Sequence, residues 1–319
     1  MAYPFPAIDT GRNTERLSAF LSEYIESKPV DQYFEDYPTL SYFYKQKRTI
    51  DGGAQLSFQI GKGESPNSAW ARDYDLIGSA GTNNTTTVVY DFANIFDAYV
   101  ISWAEMREIS GSDHKIFDRV STGRDVVQNT TNQKLNEAFY AAAIAADKIT
   151  PLPTAILATG ACGSLSQGTE AVWASQISNH GAAYTADGYG TILGMFQKLR
   201  EVKSKATAML TSFALERAIE KEMNVDVRYS DSPDTLKRGA SKLMIKNTPI
   251  IADADATADT IYFVNSDTAR LYVDTEGDMQ WDEMMDMPYQ KAYMSKFCFR
   301  GQFVITDRRG QGKITNITG

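Results

Sequence analysis

A chain of 319 residues, 43% hydrophobic and 23% charged, has enough apolar material for a sizeable core in one large domain or two. Its 40 acidic side chains outnumber the 32 basic ones, for a net charge of −8, which argues against a protein whose main task is gripping nucleic acid phosphates. Two cysteines exclude a disulfide scaffold, two histidines exclude a His-rich metal site, and no apolar run approaches the roughly 20 residues of a membrane span.

Residues 1–48 read as an arm. The spacing of Leu17, Phe20, Leu21 and Tyr24 predicts a short helix from Asn13 to Ser27. Pro29, Pro38 and scattered aromatics then suggest a segment lying along a surface. The start of the chain carries prolines and an acid where a signal peptide would be apolar, so the N-x-S/T matches at Asn83, Asn84, Asn129 and Asn316 read as chance.

From Gly53 to Ile60 the pattern is strict alternation. Leu56, Phe58 and Ile60 face one way, and Gln55, Ser57 and Gln59 the other. Gly61, Gly63 and Pro66 break this strand, a Thr/Asn-rich stretch follows, and a strand-forming region runs from Val88 to Trp103. A two-stranded ribbon with so few apolar residues cannot bury a core by itself. It must lean on the rest of the chain or on a neighbour.

A long helix is expected from Thr122 to Ile149, ending before Pro151, with Thr122 and Asp125 as a capping-box variant. Leu135, Ala138, Phe139, Ala142, Ala145 and Ile149 form its stripe. Beyond Pro153, short elements alternate. Ile192, Leu193, Phe196 and Leu199 mark one helix; Phe213, Leu215, Ala218 and Ile219 mark another. DVRY, TIYFV and ARLYV, starting at Asp226, Thr260 and Ala269, read as strands. The closing AYMSKFCFRGQFVIT, from Ala292, has no partner nearby in sequence and is expected to pair with the region from Val88 to Trp103. That pairing would make one domain discontinuous, with 151–285 inserted in it.

The search for chemistry is mostly negative. GSLSQGTE, from Gly163, has the glycines of a phosphate loop, but Thr169 and Glu170 stand where Lys and Ser/Thr are needed. DADATAD, from Asp253, has oxygen ligands at calcium-loop spacing, but Ala258 replaces the central Gly and Val264 the terminal Glu. His114 and His180 sit in polar, turn-like stretches. Ser112 and Lys115 match the start of a penicillin-binding signature without its other motifs. Cys162 and Cys298 have no adjacent His. No catalytic residue, cofactor site or metal site is marked, although a hydrolase using acids within 151–285 stays open among 40 acids.

The order of these parts resembles that of a tailed-bacteriophage major capsid protein with the Hong Kong 97-like fold, over nearly the whole chain and least in 151–210. Gly52-Gly53 at the base of an extended hairpin resembles the family's E-loop. The passage from Thr85 resembles the returning strand, GRDVVQNTTNQKLNEAFYAAAIAADKIT the spine helix, NTPIIADADATADTIYFVNSDTARLYV a passage of the axial domain, and the closing stretch the last peripheral strand. The resemblance implies an α+β fold with an arm (1–48), an E-loop (49–86), a peripheral domain (87–150 and 286–319) and an axial domain (151–285). It implies a non-enzymatic shell subunit that assembles as hexamers and pentamers into an icosahedral virion capsid, built in the host cytoplasm around double-stranded DNA without sequence-specific binding. Separate scaffolding, portal and decoration proteins would be partners. An encapsulin-type compartment shell, which shares the fold, is the alternative.

On this resemblance the hairpin lies over a neighbouring subunit. Leu56, Phe58, Ile60 and Trp70 become interface residues, and Gly52 and Gly53 let the ribbon swing at its base. Some members staple subunits through a hairpin Lys and an Asn. Lys62 is the only candidate donor here and no Asn is marked for the role, so a non-covalent shell is expected.

Overall fold

The computed structural model describes residues 37–61, 67–73, 76, 85–109, 113–145, 147–227 and 243–319. The helix expected at 13–27 lies outside them, as do Lys62 and the last two residues of DVRY, whose first two close the helix Phe213–Val227.

The last part of the arm does not lie along a surface. Pro38–Lys45 is a helix with Pro at its first turn, where the missing N–H costs nothing. It buries Thr39, Leu40 and Phe43. Phe43 stacks on Phe139 at 5.1 Å and meets Phe303 edge-on at 4.9 Å. Burying this aromatic triad outweighs the solvation of a free arm. Arg48–Ile50 then pairs in parallel with Ala269–Asp274.

The first sheet is built around Ala292–Ile305, whose 14 residues are its longest strand. The expected pairing with the earlier strand is present, in antiparallel register from Ala292↔Ser102 to Gly301↔Ala93. The region from Val88 to Trp103 is not one strand. Thr85–Asp91 belongs to the hairpin, Phe92 separates it from Ala93–Ser102, and Trp103 opens a short helix to Ile109.

The long helix is Asp113–Phe139, 27 residues and about 40 Å. It begins nine residues before Thr122 and ends ten before Ile149, so Thr122 and Asp125 lie inside it rather than capping it. Ala142 and Ala145 lie beyond its end. The chain leaves the helix because Tyr140, Ile149 and Leu152 are all buried, and a straight continuation could not deliver all three to the core. The Tyr140 amide closes the last turn on the Glu137 carbonyl, and its hydroxyl bonds Thr39 Oγ1 at 2.7 Å. The helix crosses the face of the first sheet that carries Asp97, Tyr99 and Ser295. Lys134 pairs with Asp97 at 3.6 Å and Arg124 donates to Ser295 at 2.9 Å.

The second sheet runs in the order Gln176–Ala183, Gly312–Thr318, Thr260–Val264, Ala208–Thr211, Thr248–Ala252, Met244–Ile245. The helix Gly188–Glu201 packs on it through Ile192, Met195, Phe196 and Leu199, and Phe213–Val227 through Leu215 and Ile219. The sheets do not follow a boundary at 285/286. Ala269–Asp274, Gln280–Trp281 and Met285–Asp286 join the first sheet, whereas Gly312–Thr318 joins the second. Apolar burial decides both cases: Leu271 and Val273 fill the first core, Ile314 and Ile317 the second. A polar knot ties the two halves. Asn136 of the long helix donates to Asp253 at 2.9 Å and to Asp255 at 2.8 Å, and Asp253 also accepts from the Thr39 amide.

Candidate assembly surface

The hairpin consists of Gln55–Gly61 and Thr85–Asp91 in antiparallel register, with Leu56 opposite Tyr90, Phe58 opposite Val88 and Ile60 opposite Thr86. Its base is embedded in its own chain. Leu56 is only 5% exposed, Val88 and Tyr90 are buried beside it, and the Tyr90 hydroxyl donates to the Ile305 carbonyl at 2.8 Å. Leu56 therefore departs from the expectation of a contact with a neighbour, because this chain already fills its surroundings. Phe58 is half-buried against Tyr272, with ring centroids 5.2 Å apart, and Ile60 is half-buried. Trp70 is fully exposed. Among the four apolar positions singled out, only Trp70 offers its whole side chain to a partner.

Both glycines at the ribbon's root hold left-handed backbone, Gly52 at φ +69° and Gly53 at φ +116°. A Cβ on Gly52 would meet no atom within 4 Å, so conformation rather than crowding requires glycine there. This root is held fast rather than free. The Gly52 amide donates to Asp274 at 3.3 Å, and the Gly53 carbonyl accepts from Arg300 at 2.6 Å.

The sheet face opposite the long helix carries apolar groups that the alternation could not assign, because both faces of ANIFDAYVIS read as apolar. Phe96 is 77% exposed, and Val100 and Met285 are about half exposed. The register places Cys298 beside Phe96 and Met294 between Val100 and Met285, and Ala98 with the exposed Lys296 stands between these two apolar groups on the same face. At its end, Trp103 sits between the Arg107 and Lys291 cations, each 5.4 Å from its ring. Tyr289, at φ +72°, projects fully into solvent from the adjoining turn. Large exposed apolar patches on a folded chain mark interaction sites.

Several residues of the motifs set aside in the sequence have structural duties. Gly163 lets its loop close on the hairpin, since a Cβ there would lie 2.7 Å from Val88, and Ser164 exchanges hydrogen bonds with Val89. Asp253 belongs to the knot described above. His180 bridges Thr191 and the Ala183 carbonyl. Burial pushes the Cys162 thiol above its ordinary range, the opposite of an activated nucleophile. Sequence reading missed Arg308, which is fully buried and donates to five carbonyls, those of Thr154, Ala155, Thr159, Gly160 and Trp173. No signal in the sequence separates it from Arg309.

No family model and no curated protein matches the chain. Solved structures do. A subunit of the cyanophage A-1(L) capsid superposes with a TM-score of 0.70 at 16% identity, over 95% of this chain and 99% of that one. The capsid of the native GTA particle gives 0.62 at 12% identity, over 98% and 100%. The holo-SrpI encapsulin complex from Synechococcus elongatus gives 0.54 at 9% identity, over 100% and 97%. The chain has the α+β fold of phage capsid subunits, the Hong Kong 97-like fold.

Proposed function

We propose that the chain is a major capsid protein, a structural subunit that self-assembles as hexamers and pentamers into an icosahedral shell around double-stranded DNA. The observation that carries this reading is the near end-to-end likeness to a phage capsid subunit, 95% of this chain against 99% of that one. An exposed apolar sheet face and an exposed Trp70 suit a surface completed by copies of the same chain. The net charge of −8 suits a wall that confines DNA without adsorbing it. In this reading the chain is no enzyme, and the particle is a virion assembled in the host cytoplasm with scaffolding, portal and decoration proteins as partners. In this reading the chain is divided into an arm (1–48), a hairpin (49–86), a peripheral domain and an axial domain, with the boundary between the last two redrawn to follow the two sheets. The strands of 269–286 move to the peripheral side, and Gly312–Thr318 moves to the axial side.

Sizing of the purified protein tests this. A shell subunit gives megadalton particles; a small oligomer under all assembly conditions would overturn it. The encapsulin-like fold match makes a cargo compartment the second reading. Nuclease-protected double-stranded DNA inside particles from infected cells separates the virion from the compartment.

A further inference from the structure

We infer that Arg300 is a latch that clamps both roots of the hairpin to the central strand of the first sheet and so sets the angle at which the ribbon leaves the subunit. The ribbon joins the body at two places, Gly53 where it departs and Phe92 where it returns. Arg300 touches both. Its Nη2 donates to the Gly53 carbonyl at 2.6 Å, and its guanidinium lies 4.5 Å from the centroid of the Phe92 ring. Its Nη1 is held by Asp274 at 2.7 Å, and Asp274 in turn accepts from the Gly52 amide. The fork of the guanidinium makes the two hydrogen bonds from separate nitrogens held in a fixed plane, a spacing that the single nitrogen of a lysine does not reproduce. Two residues along the same strand, Gln302 donates to the Asp91 carbonyl at 2.6 Å, beside the returning root.

The geometry around the latch is made to fit it. Gly277 leaves the space that the Arg300 stem occupies, since a Cβ there would lie 2.6 Å from Arg300 Cβ. Asp274 is buried while a third of the Arg300 side chain is exposed, so the pair is shielded from solvent on its acidic side. Gly52 and Gly53 can adopt many backbone conformations, and the latch selects one of them. Any swing of the ribbon about these glycines must first break the bond from Arg300 to Gly53. The latch is a property of the single subunit; its consequence for the angle at which ribbons meet neighbours rests on the shell reading above.

Hydrogen–deuterium exchange on the full-length unassembled chain tests it, comparing wild type with Arg300→Gln and Arg300→Lys. Arg300→Gln is expected to speed exchange in peptides covering 52–61 and 85–91 by roughly tenfold or more, with the strand Thr260–Val264 unchanged. Arg300→Lys should fall between the two. Equal exchange in all three proteins overturns the latch, and so does faster exchange that extends to Thr260–Val264, which would mean a general role in folding. A chain that shows the local effect and never forms particles would uphold the latch while counting against the shell.

Discussion

The ring of Phe58 packs on that of Tyr272 at 5.2 Å, so the hairpin leans on its own subunit before any neighbour is present. Phe58 stands two pairs beyond Leu56, where burial begins to give way to exposure. Phe58→Asp removes this contact and places a charge on a face that the proposed shell would cover. The isolated subunit should lose roughly 1–2 kcal/mol of stability. Particle formation should be lost. A melting curve and a sizing run on the same sample check both parts; wild-type particles from the variant would show that no neighbour covers this face.

Arg308 is the internal fastener of the segment between Thr154 and Trp173. Methionine would fill much of its volume and take the guanidinium donor from five carbonyls, of which Gly160 keeps the Gln167 amide, at a cost of about 3–5 kcal/mol. Lysine keeps the charge but cannot span five acceptors, so Arg308→Lys should recover only part of the loss. Urea unfolding of the two variants measures this. A midpoint for Arg308→Met within error of wild type would contradict the assignment.

The long helix passes close to the sheet at Gly123, where a Cβ would lie 2.0 Å from the Tyr99 ring. Gly123→Ala gains about 1 kcal/mol in helix propensity. Displacing the ring should cost about 1–3 kcal/mol, so the net effect is destabilising and particles should be misshapen or arrested. Ala142, which the sequence had placed in this stripe, is exposed beyond the helix end, and Ala142→Leu should stay within about 0.5 kcal/mol of wild type. Melting curves beside electron micrographs of both variants decide between these positions.

Stability should decline in alkali. Burial raises the Cys162 thiol above its ordinary 9.0 and the Tyr90 phenol well above 10.0, and it pushes Tyr184 and Tyr262 up to about 12. These groups keep their protons in the folded chain at pH values where the unfolded chain has lost them. Their contribution is complete below the ordinary values and is lost as pH rises through the raised ones. Burial pushes the Lys313 ammonium and the Arg308 guanidinium down, which acts in the opposite sense, but the Arg308 group titrates above this range, which leaves Lys313 against several. The urea midpoint should therefore fall between roughly pH 8 and pH 11. A midpoint that holds or rises over that range would be inconsistent with these burials.

What the sequence determined by itself is the phase of the hairpin strand, the glycine pair at its root, the partnership of the two long strands and the presence of a long helix. Each rests on local chemistry. Side chains alternate along a strand with a period of two, glycine alone tolerates φ +116° cheaply, and helical spacing repeats every turn. Tertiary structure decided the rest. The alanines after Tyr140 favour helix by only tenths of a kcal/mol each, and burying Tyr140, Ile149 and Leu152 outweighs them. Leu56, Phe58 and Ile60 share one face, but only the folded chain shows that Leu56 is buried in one core with Val88 and Tyr90 and that Phe58 rests on Tyr272. Arg300 and Gly53 are 247 residues apart, so no local pattern could announce their bond. A periodic pattern tells which side chains share a face; what covers that face depends on contacts between distant parts of the chain, and those exist only once it has folded.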